Sequence, residues 1–346
     1  MSLDNKHIIC TLFDHRYLPR GLCMIQSARR HGFTQKIWVL CLSVECQRIL
    51  TALALPDVQT ITLDMLEEHI PRLRQAKGNR SIVEYYFTCM AALHTYLFDT
   101  APEIDGTMYV DADIQFFESP HVVFAAIADA PVAITPHNFV PEMDHLEQYG
   151  TFNGGWSAFR RTSDGQTCLK WWLERSLEWC YDRVEGERYA NQKYMNRFPD
   201  IEPKTRILRQ KGFNCAPWNI GNYKVTEREG RIFIDDDPLV FFHFHGLKRR
   251  MGFFEFQHRG YGAPVSWLMR NKLYRPYIME LLKMEQLRSK IEPAAVSAKS
   301  VNNLRGSDRK LSALLRKMVE HPGSAATKLI HLAQDLPILT IGTRVL

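Results

Sequence analysis

Short apolar stretches alternate with segments of helical apolar spacing through the first third of the chain. Strands are predicted at residues 7–12, 36–42 and 58–63, helices at residues 20–31 and 81–98, and a further strand ends at Asp111. This alternation is typical of a mostly parallel sheet that is covered by helices on both faces. The sequence therefore predicts an α/β fold, in which ligands bind at the carboxyl ends of the strands.

The composition narrows the class of protein. With 346 residues, of which 45% are hydrophobic and 24% charged, the chain is long enough to bury a large core. It has no run of eighteen apolar residues, and residues 1–7 lack the hydrophobic segment of a signal peptide, so we expect a cytoplasmic protein. Its eight cysteines never form Cys-x-x-Cys, which predicts buried thiols in a reducing compartment and neither zinc ligands nor disulfides.

The net charge of +6 is concentrated near the carboxyl terminus. Residues 288–328 contain nine basic and three acidic residues, so the rest of the chain is close to neutral. A near-neutral body argues against nucleic acid as the main partner. We expect two parts, a catalytic domain at residues 1–285 and a basic tail at residues 286–346.

The tail itself has two kinds of segment. Residues 293–306 are rich in Ala, Ser and Asn and predict a linker, and residues 311–319 and 325–332 have the pattern of basic amphipathic helices. Such helices can lie on an anionic membrane surface. They can equally pack on the body of the protein or on a second subunit, and the sequence leaves both alternatives open.

The predicted strand in residues 107–117 ends in two carboxylates. Asp111 and Asp113 are one residue apart, so both lie on one side of the backbone where the strand meets a loop. Carboxylate oxygens suit Mg²⁺ or Mn²⁺, and a diphosphate can complete the coordination of such an ion. Asp is also a common turn former at strand ends, so the pattern alone is not specific.

The usual nucleotide-binding glycine motifs do not occur. There is no Gly-x-Gly-x-x-Gly after the first strand and no Gly-x-x-x-x-Gly-Lys-Ser/Thr, which argues against a dinucleotide dehydrogenase and a P-loop enzyme. A metal ion that bridges two phosphates, with cationic side chains nearby, is another way to hold a nucleotide.

Two segments of the second half carry residues that suit a ligand site. Asn153, Gly154 and Gly155 lie within an apolar run, which favours either a close approach of the backbone to a ligand or a tight turn. Asn191 and Gln192 are adjacent amides, and a surface position is the alternative for Gln192. Residues 212–219 suit either a loop that lines a substrate or a packed loop.

Residues 240–250 predict a short apolar strand followed by cations. His243 and His245 should point to one face, and Phe242 and Phe244 to the other. Imidazole is a metal ligand and a donor to diphosphate. Gly246 and the run Lys248 to Arg250 follow, where cations can contact phosphate.

Taken in order, these motifs resemble a family. Over residues 7–285 the chain looks like a glycosyltransferase of the GT-A fold, most similar to glycosyltransferase family 8, the glycogenin-like group and its bacterial relatives that build lipopolysaccharide. The resemblance implies a mostly parallel central sheet flanked by helices, with a helical extension at the carboxyl terminus. It also implies that Asp111 and Asp113 bind Mn²⁺, or Mg²⁺, and the donor diphosphate.

The later motif of the family is His-x-x-Gly-x-x-Lys. His243 and Gly246 match its first and fourth positions, which implies that His243 is the third metal ligand and that His245 lies close to the nucleotide. The Lys position falls on Arg249, with Lys248 one residue earlier, so the resemblance leaves open which cation contacts phosphate.

Further roles follow from the resemblance alone. Asn191 and Gln192 stand at the Asp-Gln pair of the family, whose Gln lies near the anomeric carbon, so Gln192, Asn191 and Asp113 are the expected catalytic residues. Asn153 and Gly154 match an element that faces the sugar. The remaining expected nucleotide contacts are Arg80, at the basic entry to a helix, and the residues of the first-strand loop, Thr11, Phe13, Asp14 and Tyr17.

The implied activity is transfer of a sugar from a nucleotide-diphosphate sugar to a glycan or lipid-linked acceptor. The resemblance favours a UDP-sugar as the donor. The family implies retention of configuration, although Asp182 and Glu187 lie close enough to Gln192 in sequence to leave inversion open. Two other functions are alternatives. One is a sugar nucleotidyltransferase, and the other is a module that binds glycan or nucleotide sugar without turnover.

Overall fold

The computed structural model describes residues 6–250, 253–291, 338–341 and 344–345. Its helices are α1 Leu18–Arg30, α2 Val44–Leu53, α3 Leu63–His69, α4 Arg72–Gly78, α5 Ile82–Thr100, α6 Pro120–Ile127, α7 Ser163–Glu178, α8 Phe198–Ile201 and α9 Arg275–Ile291. Its strands are β1 His7–Phe13, β2 Ile37–Cys41, β3 Val58–Thr62, β4 Gly106–Val110, β5 Ile114–Phe116, β6 Val132–Pro136, β7 Phe152–Arg160, β8 Arg206–Ile207, β9 Val225–Arg228, β10 Arg231–Ile234, β11 Asp237–Pro238, β12 Phe241–His243, β13 Lys248–Arg250, β14 Phe253–Glu255, β15 Ile338–Ile341 and β16 Arg344–Val345.

The main sheet has seven strands in the order β3-β2-β1-β4-β7-β6-β8. Strands β3, β2, β1 and β4 are parallel to one another, β7 is antiparallel to its neighbours β4 and β6, and β6 and β8 are parallel. The predicted α/β fold with a mostly parallel sheet is therefore confirmed. The predicted strands and helices of the first 113 residues are also confirmed, with ends that shift by at most a few residues.

Helices cover both faces of this sheet because successive side chains of each strand point to opposite faces. Met108 and Val110 of β4 belong to one buried cluster, which includes residues of α1, α6 and α9. Tyr109, which lies between them, belongs to a second cluster with residues of α5 and α7. The eight cysteines are all buried and free, in agreement with the prediction of buried thiols.

Helix α5 begins where the sequence provides a strong start signal. The Ser81 hydroxyl accepts a hydrogen bond from the Glu84 amide nitrogen, and the Glu84 carboxylate accepts one from the Ser81 amide nitrogen. This reciprocal arrangement satisfies amide groups that the first turn of a helix leaves without partners. It fixes the start of a helix that packs on the sheet beside β4.

A small antiparallel pair of strands is the feature that most affects the site. Strand β12 pairs with β5, so that His243 lies opposite Ile114. Because β5 follows Asp113 directly, this pairing places the end of β12 beside the two carboxylates that follow β4. Residues far apart in sequence thus meet at the carboxyl end of the sheet.

The carboxyl-terminal part is only partly described. Helix α9 crosses position 285, and β15 pairs antiparallel with β14. The predicted linker at 293–306 and the predicted helices at 311–319 and 325–332 lie outside the described residues, so the division at 285 stays a prediction. Within the described residues, no helix combines the length and apolar character that crossing a membrane requires.

Candidate metal centre

Two carboxylates and one imidazole meet at the end of β4. The ligand atoms of Asp111, Asp113 and His243 all lie within 4.8 Å of one another, and we refer to these three residues as the metal centre. Nε2 of His243 is 3.0 Å from Oδ1 of Asp113 and 3.8 Å from Oδ2 of Asp111. The structure therefore brings together all three residues that the sequence proposed as metal ligands.

The backbone holds this centre in place. The His243 amide donates to the Cys215 carbonyl at 2.7 Å, and the Phe244 amide donates to the Asp113 carbonyl at 2.9 Å. The Trp218 ring packs edge-on against the His243 ring, with centroids 5.1 Å apart. Backbone hydrogen bonds on both sides of His243 thus fix the position of its imidazole.

The charges of the three groups depend on one another. Burial raises the pKa of Asp111 to about 6, although His243 acts in the opposite direction. Burial also disfavours ionised Asp113, but the positive charge of His243 outweighs it and lowers the pKa of Asp113. Burial alone would lower the pKa of His243, yet the two carboxylates raise it. Asp113 and His243, 3.0 Å apart, thus each favour the charged form of the other.

The donor set suits a divalent cation such as Mn²⁺. Two carboxylates and one imidazole are suitable ligands for Mn²⁺, and the Asp111 side chain is 34% exposed, so an ion can enter. Nδ1 of His243 is buried and has no hydrogen-bond partner among the described residues, whereas Nε2 faces both carboxylates. The imidazole is thus oriented to present Nε2 as its ligand atom.

Gly155 provides the space for this centre. A Cβ atom on Gly155 would lie 2.7 Å from Oδ2 of Asp111 and 2.7 Å from Cε1 of His243, closer than such contacts allow. The family resemblance implied a sugar-facing role for Gly154 and no separate role for Gly155. The glycine pair inside an apolar run predicts a close approach of the backbone to another group, but the pattern does not specify which of the two glycines makes that approach.

Asn153, Gly154 and Gln192 lie beside the metal centre. Oδ1 of Asn153 accepts a hydrogen bond from the Gly155 amide at 3.2 Å. Oε1 of Gln192 accepts one from the Gly154 amide at 2.8 Å, and its Nε2 donates to the Tyr149 carbonyl at 3.0 Å. The side chain of Gln192 is therefore held against strand β7, next to the glycines that border the metal centre.

The side chain of the neighbouring residue, Asn191, points into the protein interior. Asn191 is 2% exposed, and its Nδ2 donates to Sδ of Met90 at 2.9 Å. Its backbone carbonyl accepts a hydrogen bond from Nε1 of Trp172. The Asn191 side chain is thus part of the packed interior, and of the two adjacent amides only Gln192 faces the glycines of β7.

The first-strand loop divides into buried and exposed residues. Thr11 and Phe13 are buried, and the Phe13 ring fills the space left by Gly21 of α1. Oδ1 of Asp14 accepts the amide hydrogens of residues 16 and 17, which shapes the loop. Tyr17 is 49% exposed, and partial burial of its hydroxyl together with the negative charge of Asp113 raises its pKa.

Arg80 has partners within the protein. Nη1 donates to Oγ1 of Thr88 at 2.5 Å, Nη2 donates to the Leu177 carbonyl at 2.7 Å, and the guanidinium lies over the Tyr181 ring. Lys77, at the same helix entry, donates to Glu67 at 2.7 Å. These side chains connect helices in the structure, and a role in nucleotide contact stays a prediction.

The cations after β12 differ in their surroundings. Arg249 forms an ion pair with Glu285 at 3.1 Å and lies over the Phe254 ring. Lys248 is exposed and has no ion-pair partner among the described residues. Burial lowers the pKa of His245, and the charges of His243 and Lys248 lower it further. His245 lies near His243, with ring centroids 5.9 Å apart, which agrees with the predicted shared face. Gly246 has φ +68, a conformation that favours glycine.

Arg20 lies near the metal centre although no sequence motif predicted it there. Its positive charge lowers the pKa of Asp113, its Nη2 donates to the Leu247 carbonyl at 2.8 Å, and it lies over the Tyr17 ring at 4.8 Å. Arg20 is on α1, where helical spacing gave no reason to separate it from other surface cations. Only the packing of α1 against the loop after β12 brings it to the site.

The fold and the site together define an α/β protein with a carboxylate and imidazole centre at the carboxyl end of its sheet. No family model matches the chain. Two relatives from Bacillus subtilis strain 168 are uncharacterized proteins. YfnD is 28% identical over 240 residues, which are 68% of this chain and 76% of the relative. YfnF is 26% identical over 247 residues, 69% of this chain and 81% of the relative.

Solved structures with a similar arrangement have low sequence identity to this chain. A galactosyltransferase, LgtC, in complex with donor and acceptor sugar analogues, has a TM-score of 0.49 and 14% identity, covering 83% of this chain and 97% of LgtC. Mouse xyloside xylosyltransferase 1 has a TM-score of 0.47 and 10% identity, covering 69% and 98%. The bifunctional glycosyltransferase WbbM has a TM-score of 0.48 and 14% identity, covering 82% and 52%.

Proposed function

We propose that the protein is a metal-dependent glycosyltransferase that moves a sugar from a nucleotide-diphosphate sugar to a glycan or lipid-linked acceptor. The expected donor is a UDP-sugar. The observation that carries this proposal is the convergence of Asp111, Asp113 and His243 at the carboxyl end of the sheet, beside Gly155. In open α/β sheets this end is where ligands bind.

Mn²⁺, when bound by these three residues, would neutralise the negative charge that develops on the departing diphosphate. Side chains around the metal centre suit contacts to the phosphates and to the nucleoside. Lys248 is an exposed cation close to His245 and suits a phosphate contact better than Arg249, which Glu285 already pairs. Arg20 lies over the Tyr17 ring, and both side chains act electrostatically on Asp113, so this pair suits contacts to the nucleoside.

The transfer breaks the bond between the anomeric carbon and the diphosphate oxygen and forms a bond from that carbon to the acceptor oxygen. The proton of the acceptor hydroxyl passes to the departing diphosphate. Gln192 is held by Gly154 and Tyr149 beside the centre, and an amide there suits retention, since it is not a carboxylate base. Asp182 accepts a hydrogen bond from Tyr189, and Glu187 is 87% exposed, so neither shares the contacts of Gln192.

The proposed setting is bacterial surface-polysaccharide synthesis on the cytoplasmic side of the membrane. The basic segment after residue 286 would attract the chain to anionic lipids and so to a lipid-linked acceptor. This part of the proposal is independent of the chemistry at the metal centre, and it is tested separately by sedimentation of the whole chain with anionic and neutral vesicles.

The deciding experiment measures nucleotide release from UDP-, GDP-, dTDP- and CMP-sugars by the purified chain with and without Mn²⁺. We expect release from one nucleotide class that requires Mn²⁺ and is lost in Asp113→Ala. The matched control is Asp129→Ala, which removes an exposed carboxylate of the α6–β6 loop and should leave release unchanged. Release that persists in Asp113→Ala, or no release of any nucleotide with an acceptor mixture present, would contradict the proposal.

A further inference from the structure

We propose that His137 is a positioning residue that holds the Asn153 side chain with its oxygen, and not its nitrogen, toward the metal centre. The inference rests on the proposed function, because it takes the metal centre to bind a divalent cation. His137 is 5% exposed, directly follows β6, and is in hydrogen-bond contact with the Asn153 side chain.

The hydrogen-bond partner of Nδ1 fixes the tautomer of His137. Its Nδ1 lies 3.0 Å from the Gly150 carbonyl oxygen, which can only accept a hydrogen bond. Nδ1 must therefore carry the hydrogen. Burial lowers the pKa of His137 to about 3, so the ring is neutral near pH 7 and its other nitrogen, Nε2, is an acceptor.

The other ring nitrogen of His137 contacts the side-chain amide of Asn153. Nε2 of His137 lies 3.1 Å from Nδ2 of Asn153. An acceptor at Nε2 requires a donor opposite, and only the amide nitrogen of Asn153 can donate. The hydrogen-bond partners of Asn153 therefore decide which of its amide atoms, oxygen or nitrogen, faces His137.

The side-chain oxygen of Asn153 lies on the side of Gly155 and Asp111. Oδ1 accepts the hydrogen of the Gly155 amide at 3.2 Å and keeps a second lone pair. A Cβ atom on Gly155 would meet Oδ1 of Asn153 at 3.0 Å and Oδ2 of Asp111 at 2.7 Å, so the two oxygens border the same space. An oxygen there favours a cation or a metal-bound water, whereas an amide nitrogen would repel it.

The surroundings keep His137 rigid. Its ring stacks on Phe139 with centroids 4.6 Å apart and meets Trp218 edge-on at 5.4 Å. Trp218 in turn contacts the His243 ring. Nδ2 of Asn219 donates to the His137 carbonyl at 2.9 Å, which also fixes the backbone. His137 thus has contacts that hold its ring in one orientation while its two nitrogens set the Asn153 amide.

The test measures Mn²⁺ affinity from the electron paramagnetic resonance signal of free Mn²⁺. His137→Phe keeps an aromatic ring against Phe139 but removes both hydrogen bonds, and we expect about tenfold weaker binding, as for other residues that orient the surroundings of a metal. The control His145→Phe changes an exposed histidine and should bind as the wild type does.

A double-mutant cycle separates positioning from a general effect on the fold. If His137 acts through Asn153, His137→Phe should cost nothing further in the Asn153→Ala background. Additive losses, or wild-type affinity in His137→Phe, would overturn the inference.

The wild-type protein provides a measurement that no folding defect can obscure. A long-range ¹H–¹⁵N correlation spectrum, with His137→Gln to assign the signal, should show the hydrogen on Nδ1 of His137. A hydrogen on Nε2 would overturn the inference. If the wild type binds no Mn²⁺, the proposed function fails by itself, and the tautomer still decides whether His137 sets the Asn153 amide.

Discussion

The amide nitrogen of Asp111 donates a hydrogen bond to the carbonyl oxygen of Gly155 at 2.9 Å, next to the last residue pair of β4 and β7. This contact draws the backbone of β7 against the carboxylate. It also explains why residue 155 has no side chain, because any Cβ atom there would meet Asp111 and His243.

Gly155→Ala should therefore disrupt the metal centre. The added methyl group would displace the Asp111 carboxylate and the His243 ring, and we expect Mn²⁺ affinity to fall by roughly tenfold or more. Calorimetric titration with Mn²⁺ measures this. Gly78→Ala is the matched control, since a Cβ atom on Gly78 meets no atom within 4 Å. Equal affinities of the two variants would show that the centre tolerates the methyl group.

The affinity for Mn²⁺ should fall as the pH is lowered. A ligand must be deprotonated to bind metal, and Asp111 has a pKa of about 6 while the pKa of His243 is raised. Below these values each displaced proton lowers the affinity by about tenfold per pH unit. Titrations between pH 8 and pH 5 should show this decline, and a flat profile would contradict the proposed ligand set.

The same profile should respond to Tyr109→Phe. The Tyr109 hydroxyl donates to Oδ1 of Asp111 at 2.7 Å, a hydrogen bond that lowers the pKa of the carboxyl group. Its removal should raise that pKa and move the loss of Mn²⁺ affinity to higher pH. A shift to lower pH, or none, would mean that Asp111 does not control the decline.

Gln192→Ala should separate transfer from metal binding. The variant loses the hydrogen bonds to Gly154 and Tyr149 but leaves the metal centre in place. We expect Mn²⁺ affinity close to wild type and transfer slower by about a hundredfold, because loss of positioning near the reacting carbon is costly. Gln166→Ala, at an exposed position of α7, is the control for rate. Unchanged transfer in Gln192→Ala would remove Gln192 from the mechanism.

His94 should contribute to acid sensitivity of the fold. It is fully buried, with Nδ1 2.7 Å from Oγ1 of Thr107, and burial lowers its pKa to about 3. Between about pH 6.5 and pH 3 the unfolded chain binds the proton and the folded chain does not, so the free energy of unfolding falls as pH falls, by up to about 1.4 kcal/mol per pH unit.

Urea unfolding between pH 7 and pH 5 measures this dependence. The slope should be smaller in His94→Gln than in the wild type, because one proton-linked group has been removed. His145→Gln changes an exposed histidine and should keep the wild-type slope. A wild-type slope in His94→Gln would show that other groups dominate the pH dependence.

The sequence by itself determined strands β1 to β4, helices α1 and α5, the mostly parallel sheet, and the position of Asp111 and Asp113 at a strand end. These features depend on local periodicity, which is present in the order of the residues. The expectation that His243 and His245 share a face came from the same two-residue period.

The tertiary structure decided which residues meet. Pairing of β12 with β5 brings His243 to Asp113, and pairing of β7 with β4 brings Gly155, and not Gly154, to Asp111. Gln192 faces the glycines of β7 while Asn191 turns into the interior against Met90. The register of a strand pair sets the first two of these choices, and a shift of one residue exchanges the two faces of a strand, so the composition of a segment cannot specify them. The difference between Gln192 and Asn191, which lie in a turn, depends on the packing of that turn against β7 and α5.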